Sequence, residues 1–362
     1  MTAVDAAVAA DDPRARQLAA IEESGWGERF KLFQPRNALF WLFAWALVVG
    51  VVHTVNFYRQ DVANYGGALV GGGVAFAIYG GLWLLFLGAA NRYTPESPKL
   101  LAVGFLWGFF VATAALALTI NDAVLGLYTK AFGQSWTSDW GAGLTAPFTE
   151  ETAKALGFVV LLGLAPRLIR SAYDAFVVGA FIGLRSLVGI ASHALFSAIF
   201  CTGLFWLLGW GAEQRRVAKG LGLMVLAMVC HGVWDDTGAI GVKLIGDAGA
   251  GILMPVFLII EVVIILWVAR LASSTEKTWM RDLLGPEVAS GTITAAEADA
   301  LAGSRHHQRK YVKTIHGHHE RRTTKHVLEA AHDLAAEIAR AHGEETDAVV
   351  FARSEVTRLR TA

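Results

Sequence analysis

Residues 174–210 read DAFVVGAFIGLRSLVGIASHALFSAIFCTGLFWLLGW, and the number of times this stretch crosses a membrane decides the fold. After Asp174, only Arg185 and His193 interrupt an apolar run. A crossing of about 30 Å of hydrocarbon takes about 20 helical residues. At 37 residues the stretch is therefore too long for one crossing and short for two. Its flanks arbitrate, because Lys and Arg gather on the cytoplasmic side of a membrane. Arg167 and Arg170 precede it, and Arg215, Arg216 and Lys219 follow it. For both flanks to be cytoplasmic the stretch must cross twice, with a very tight turn near Arg185.

Further apolar stretches lie on either side, at 37–57, 66–90, 100–120, 143–164, 219–240 and 250–270. Arg29, Lys31 and Arg36 precede the first, and Arg92 and Lys99 sit between the second and third. The opposite connections are poor in cations, with Arg59 in one and Lys130 in a long loop at 121–140. These counts predict an all-α, polytopic integral membrane protein of about eight transmembrane helices with both termini cytoplasmic. The expected organisation is a cytoplasmic N-terminal segment at 1–36, a transmembrane domain at 37–270 and a cytoplasmic helical tail at 271–362.

Composition agrees. Of 362 residues, 54% are hydrophobic and 17% charged, and the mean hydropathy is +0.45. Soluble domains carry about 25% charged residues. A disordered chain, a collagen, a disulfide scaffold and an ordinary cytosolic enzyme are all excluded. The formal net charge is zero, so no bulk basic field points to nucleic acid as a partner. Cys201 and Cys230 both lie in apolar runs and read as small hydrophobes rather than a disulfide. The N-terminal 36 residues include Asp5, Asp11, Asp12, Glu22 and Glu23 and have no apolar core, which is not the pattern of a cleavable signal.

The tail holds thirteen basic and thirteen acidic residues and eight of the eleven histidines. Thr294 followed three residues later by Glu297 reads as a capping box ahead of a short helix. Val327, Leu328, Ala331, Leu334, Ala335 and Ile338 recur at helical spacing. The histidine-rich run around His316, His318 and His319 reads as a solvated, charge-mixed face rather than a metal tract.

Ionisable side chains are costly in hydrocarbon, so each one there is a functional candidate. In Pro147-Phe148-Thr149-Glu150-Glu151-Thr152-Ala153-Lys154, the lysine sits three and four residues beyond the two glutamates and reaches either. One cation cannot neutralise both carboxylates, which leaves one able to take a proton from water as a general base. In His231-Gly232-Val233-Trp234-Asp235-Asp236, Asp235 lies one turn beyond His231, where it can orient the imidazole. His193, in Ala191-Ser192-His193-Ala194-Leu195-Phe196, stands alone on an apolar helix. His53 and Glu261 belong to neither pattern.

Taken in order, Glu150-Glu151-x-x-Lys154, the span opening Asp174-Ala175-Phe176-Val177-Val178-Gly179-Ala180, Ser192-His193-Ala194-Leu195-Phe196 and His231-Gly232-Val233-Trp234-Asp235 resemble the motifs of the PrsW family of intramembrane proteases. That family is similar to the prenyl-protein endoproteases and bacteriocin-processing membrane proteases. The resemblance covers about 35–270 and implies an intramembrane endopeptidase in the cell membrane, of glutamic or metallo type. Its substrates would be single-span membrane proteins such as anti-sigma factors. It also implies Glu150, Glu151, Lys154, His193, His231 and Asp235 as catalytic residues. Glutamate and two histidines are adequate zinc ligands, so zinc is possible, although no spacing in the chain requires it. The chain departs from the family at one place: Gly183-Leu184 runs straight into Arg185-Ser186-Leu187-Val188-Gly189, without the Phe-x-x-x-Glu element and loop that normally follow. Three other readings stay open: a proton-coupled transporter using Glu150, His231, Asp235 and Glu261, an inactive protease homologue, and a membrane scaffold whose cytoplasmic tail binds a partner.

Overall fold

The computed structural model describes residues 12–184 and 190–361, so the turn expected near Arg185 lies outside the described residues. Among the described residues the only regular structure is helical. In chain order these are α1 (Pro13–Ser24), α2 (Ala38–Ala90), α3 (Pro98–Phe132), α4 (Gln134–Leu164), α5 (Ala172–Gly183), α6 (Ile190–Leu208), α7 (Val217–Asp235), α8 (Thr237–Ile245) and α9 (Gly249–Ala272). They are followed by α10 (Ser274–Ala289), α11 (Ala295–Ala302), α12 (Arg305–Thr314), α13 (His318–Arg340) and α14 (Asp347–Thr361).

Among the described residues, five stretches are long and apolar enough to cross a membrane: Ala38–Arg59, Asp61–Ala90, Pro98–Phe132, Val217–Asp235 and Gly249–Ala272. Their side chains are turned outward to a degree that water would not tolerate: Trp45, Val70, Leu85, Ile259 and Val263 are all exposed. Lipid is the solvent that accepts such a surface. The protein is therefore a multi-pass membrane protein. α4 is long enough to cross, but it carries Glu150, Glu151 and Lys154 in its middle.

The stretch 174–210 contributes two helices, α5 and α6. With 12 residues, α5 is about 18 Å long, well short of the hydrocarbon thickness. All its residues except Phe181 are buried. A helix that is apolar all round is covered all round, and α5 packs against α3, α4, α6 and α9.

Two expected loops are helical. At 58–65 the loop is reduced to a kink at Tyr65 (φ −130°, ψ 27°), where two helices within α2 meet. The 121–140 loop is the end of α3 and the start of α4, separated by Gly133 at φ +88°. The polar residues there mark where water begins, and only Tyr65 and Gly133 leave helical geometry. In the other direction, the span read as 219–240 ends at Asp235. Within α3, Trp107–Ala117 is π-helical.

Contacts divide the chain into two compact units. One comprises Phe30–Arg92 and Glu96–Ala272, and holds all the apolar spans. The other comprises the described residues of Met1–Arg29, Tyr93–Pro95 and Ser273–Ala362. In that second unit Ile21 and Trp26 share a core with Met280, Leu283, Leu301 and Leu334. The buried Gln17 donates to the Leu283 carbonyl at 2.7 Å. The tail's helical signals are present as read: Thr294 and Glu297 form a capping box, and Val327, Leu328, Ala331, Leu334, Ala335 and Ile338 are buried on α13.

Candidate active site

The site is built on α4, α6 and α7. Pro147 within α4 has no N–H for the Gly143 carbonyl. At that turn α7 comes in at backbone distance: a Cβ on Gly232 would lie 2.7 Å from the Gly143 oxygen, and one on Gly143 would lie 2.5 Å from the Gly232 oxygen. Only glycine at both positions permits this crossing. Asp236, just past the end of α7, secures it by accepting the Gly143 N–H at 2.9 Å. About two to three turns further along α4 and one residue back along α7, the crossing brings Glu150, Glu151 and Lys154 against His231. A second close approach delivers α6, since a Cβ on Gly183 would lie 2.3 Å from the His193 carbonyl oxygen.

Glu150, Glu151, Lys154, His193 and His231 are all buried. The two glutamates are held differently. Lys154 Nζ donates to Glu151 Oε1 at 2.6 Å, and Ser197 Oγ donates to Glu151 Oε2 at 3.1 Å. His231 Nδ1 lies 3.1 Å from the same Oε1. Both oxygens of Glu151 are thus engaged by neighbouring side chains. Glu150 Oε2 instead stands at longer range from three nitrogens: 3.4 Å from Lys154 Nζ, 3.7 Å from His193 Nδ1 and 3.6 Å from His231 Nε2. These distances exceed ordinary direct hydrogen bonds and suit a small group received between the side chains.

Asp235 Oδ2 lies 3.5 Å from His231 Nε2. The His193 and His231 rings meet edge to face with centroids 4.7 Å apart, and Phe196 stacks on His231 at 4.8 Å. Both imidazoles are therefore fixed in orientation. One ligand atom each from Glu150, His193 and His231 lies within 4.8 Å of the others, and this is the one such buried group among the described residues. The donor set of one carboxylate and two imidazoles, with a position to spare, is chemically adequate for a zinc-type divalent cation.

All six residues singled out from the sequence meet here, across 81 positions of chain from Glu150 to His231. His53 does not: it stacks on Phe57 in α2. Glu261 is buried on α9, with Oε2 unbonded, and stands outside the group of possible metal ligands. Asp174 caps α5, its Oδ2 accepting the N–H groups of Arg170 and Ser171 at 2.8 and 2.7 Å. Cys201 and Cys230 are unpaired thiols, as expected. Ser197 was not singled out, although it lies four residues after His193 on the same helical face, which is the signal that finds it. Trp107 was also missed; its Nε1 donates to the Ala153 carbonyl at 3.0 Å and braces α4 beside Lys154.

A family model described as PrsW family intramembrane metalloprotease matches residues 96–184 and 182–268. No curated protein matches the chain, and no solved structure does. The match divides at 182–184, where Gly183-Leu184 continues without the Phe-x-x-x-Glu element.

Proposed function

With residues 96–268 belonging to the PrsW family of intramembrane metalloproteases, we propose that this membrane hydrolase is an endopeptidase that cuts single-span membrane proteins, of the anti-sigma-factor kind, inside or at the edge of the bilayer. The observation that carries the reading is the meeting of Glu150, His193 and His231 within 4.8 Å in a buried site.

In this reading Glu150 is the working carboxylate. It takes the proton of a water received between it and the imidazoles, and later passes that proton to the leaving amine. His193 and His231 donate to the oxyanion that develops on the scissile carbonyl. Glu151 is the holding carboxylate, keeping Lys154, Ser197 and His231 in register. Asp235 orients His231 from the far side. Glu150, His193 and His231 are also the residues that would hold a divalent cation. When bound, such a cation supplies Lewis-acid polarisation of the carbonyl and a more acidic water.

The shared core of Ile21 and Trp26 with the tail supports both ends lying on one side of the membrane, which requires an even number of crossings between them. The five long apolar helices make an odd number. Counting α4, and counting 174–210 as two crossings with the short α5 enclosed by protein rather than lipid, gives eight, and the cation-rich connections assign the shared side to the cytoplasm.

The test is cleavage of a single-span peptide by the full-length protein in liposomes, followed by mass spectrometry of the products. A cut within the apolar segment that disappears in Glu150→Gln supports the proposal. A well-folded unmodified chain that cuts no member of a panel of such peptides overturns it. That outcome favours the inactive homologue, the reading supported by the missing Phe-x-x-x-Glu element. Proton-coupled uptake abolished by Glu261→Gln instead favours the carrier.

A further inference from the structure

The thirteen cations and thirteen carboxylates of the tail are segregated. Residues 305–326 hold seven cations against one carboxylate, Glu320, and the rest of the tail holds six against twelve. The seven are Arg305, Arg309, Lys310 and Lys313 on α12 and Arg321, Arg322 and Lys325 on α13, and every one is exposed. Five of the six cations elsewhere in the tail are paired with carboxylates: Arg281 with Asp299, Arg340 with Glu337, Arg353 with Glu287, Arg358 with Glu355 and Arg360 with Glu297. Among the described residues none of the seven pairs with a carboxylate. The side chain of Arg321 donates instead to the Ile315 carbonyl at 2.7 Å, joining the end of α12 to the start of α13. The result is a run of exposed cations on two consecutive helices that carboxylates do not neutralise.

We infer that this surface docks on anionic phospholipid headgroups of the bilayer in which the chain is embedded. Ser273 alone separates the apolar helix α9 from α10. Residues 273–304 then lead to the basic helices, and this chain tether to a membrane span raises the effective concentration of headgroups around the surface. Clusters of four to eight Lys and Arg on amphipathic helices, as α12 and α13 are, suit anionic leaflets, each cation strengthening association about fivefold. A nucleic-acid surface would interleave aromatic side chains for base stacking. The only aromatic ring in this segment besides its histidines is Tyr311, which is half-buried. Docking would fix the tail against the cytoplasmic leaflet and make its position depend on lipid charge.

The experiment places the full-length protein in nanodiscs of phosphatidylcholine alone, or of phosphatidylcholine with about one third phosphatidylglycerol. The acetylation rates of Lys310, Lys313 and Lys325 are read by mass spectrometry. The anionic discs should slow all three about threefold or more, and about 0.5 M NaCl should restore the rates. The combined variant Arg309→Gln, Arg321→Gln, Arg322→Gln keeps the three reporters but gives up roughly a hundredfold in association, so it should lose the protection. Equal rates in the two kinds of disc overturn the inference. So does protection by a DNA duplex in neutral discs without protection by anionic lipid. If the variant fails to fold by circular dichroism, the salt dependence of the unmodified chain decides alone.

Discussion

Exchanging each glutamate of the pair for glutamine separates the group that acts from the group that holds. In Glu150→Gln the contacts that hold Glu151 survive, because Lys154 keeps its 2.6 Å bond to Glu151 and Ser197 keeps its own. What disappears is a carboxylate standing 3.4–3.7 Å from three nitrogens. A general base contributes about 10²–10⁴-fold, which corresponds to a barrier raised by about 3–5 kcal/mol. Cleavage in proteoliposomes should fall by that factor while the melting temperature moves little. Glu151→Gln behaves differently. It removes the close partner of Lys154, a lysine only 1% exposed, and leaves Glu150 at 3.4 Å as its remaining carboxylate. Breaking a buried pair costs about 3–5 kcal/mol, so this variant should melt well below the unmodified chain and lose activity through disorder of the site. The assay pairs peptide cleavage with thermal unfolding in the same detergent or lipid. Full activity in Glu150→Gln, or a Glu151→Gln variant that melts normally yet cuts nothing, refutes the division of labour.

His231→Ala should lower cleavage by about a hundredfold or more through loss of an oxyanion donor, whereas Glu261→Gln, outside the converging group, should leave it unchanged in the same assay. Purified protein dialysed against zinc should retain about one equivalent by elemental analysis, and retention should fail in the His193→Ala, His231→Ala double variant. Gly232→Leu, whose first added carbon would meet the Gly143 carbonyl at 2.7 Å, should cost at least about 1–3 kcal/mol by overpacking and depress both melting temperature and activity. A chain ending at Ser273 strips α1 of the core around Ile21 and Trp26 and should aggregate, whereas removal of both 1–29 and 274–362 should leave cleavage intact.

The amino-acid sequence determined the solvent and the chemistry. Apolar runs of crossing length admit only a bilayer, and ionisable residues within such runs are few enough to name, so Glu150, Glu151, Lys154, His193, His231 and Asp235 could be collected before any geometry was known. The spacing of Lys154 from both glutamates and of Asp235 from His231 is local, and local spacing reads directly on a helix. Helix ends were less legible: polarity at 58–65 and 121–140 records contact with water, while the helices continue until Gly133 or a capping residue stops them. The direction α5 faces was not legible, because past its N-terminal turn it is apolar on every side and no polar face points away from the core; on α6 His193 and Ser197 mark one face. Only the tertiary structure decided that Glu151 is locked while Glu150 faces both imidazoles, that Ser197 belongs to the site, and that Gly143 and Gly232 allow the crossing that joins them. It also decided that α1 shares a core with a tail more than 250 residues away. These are contacts between distant parts of the chain, set by how backbones fit together, and no local pattern of residues encodes that fit.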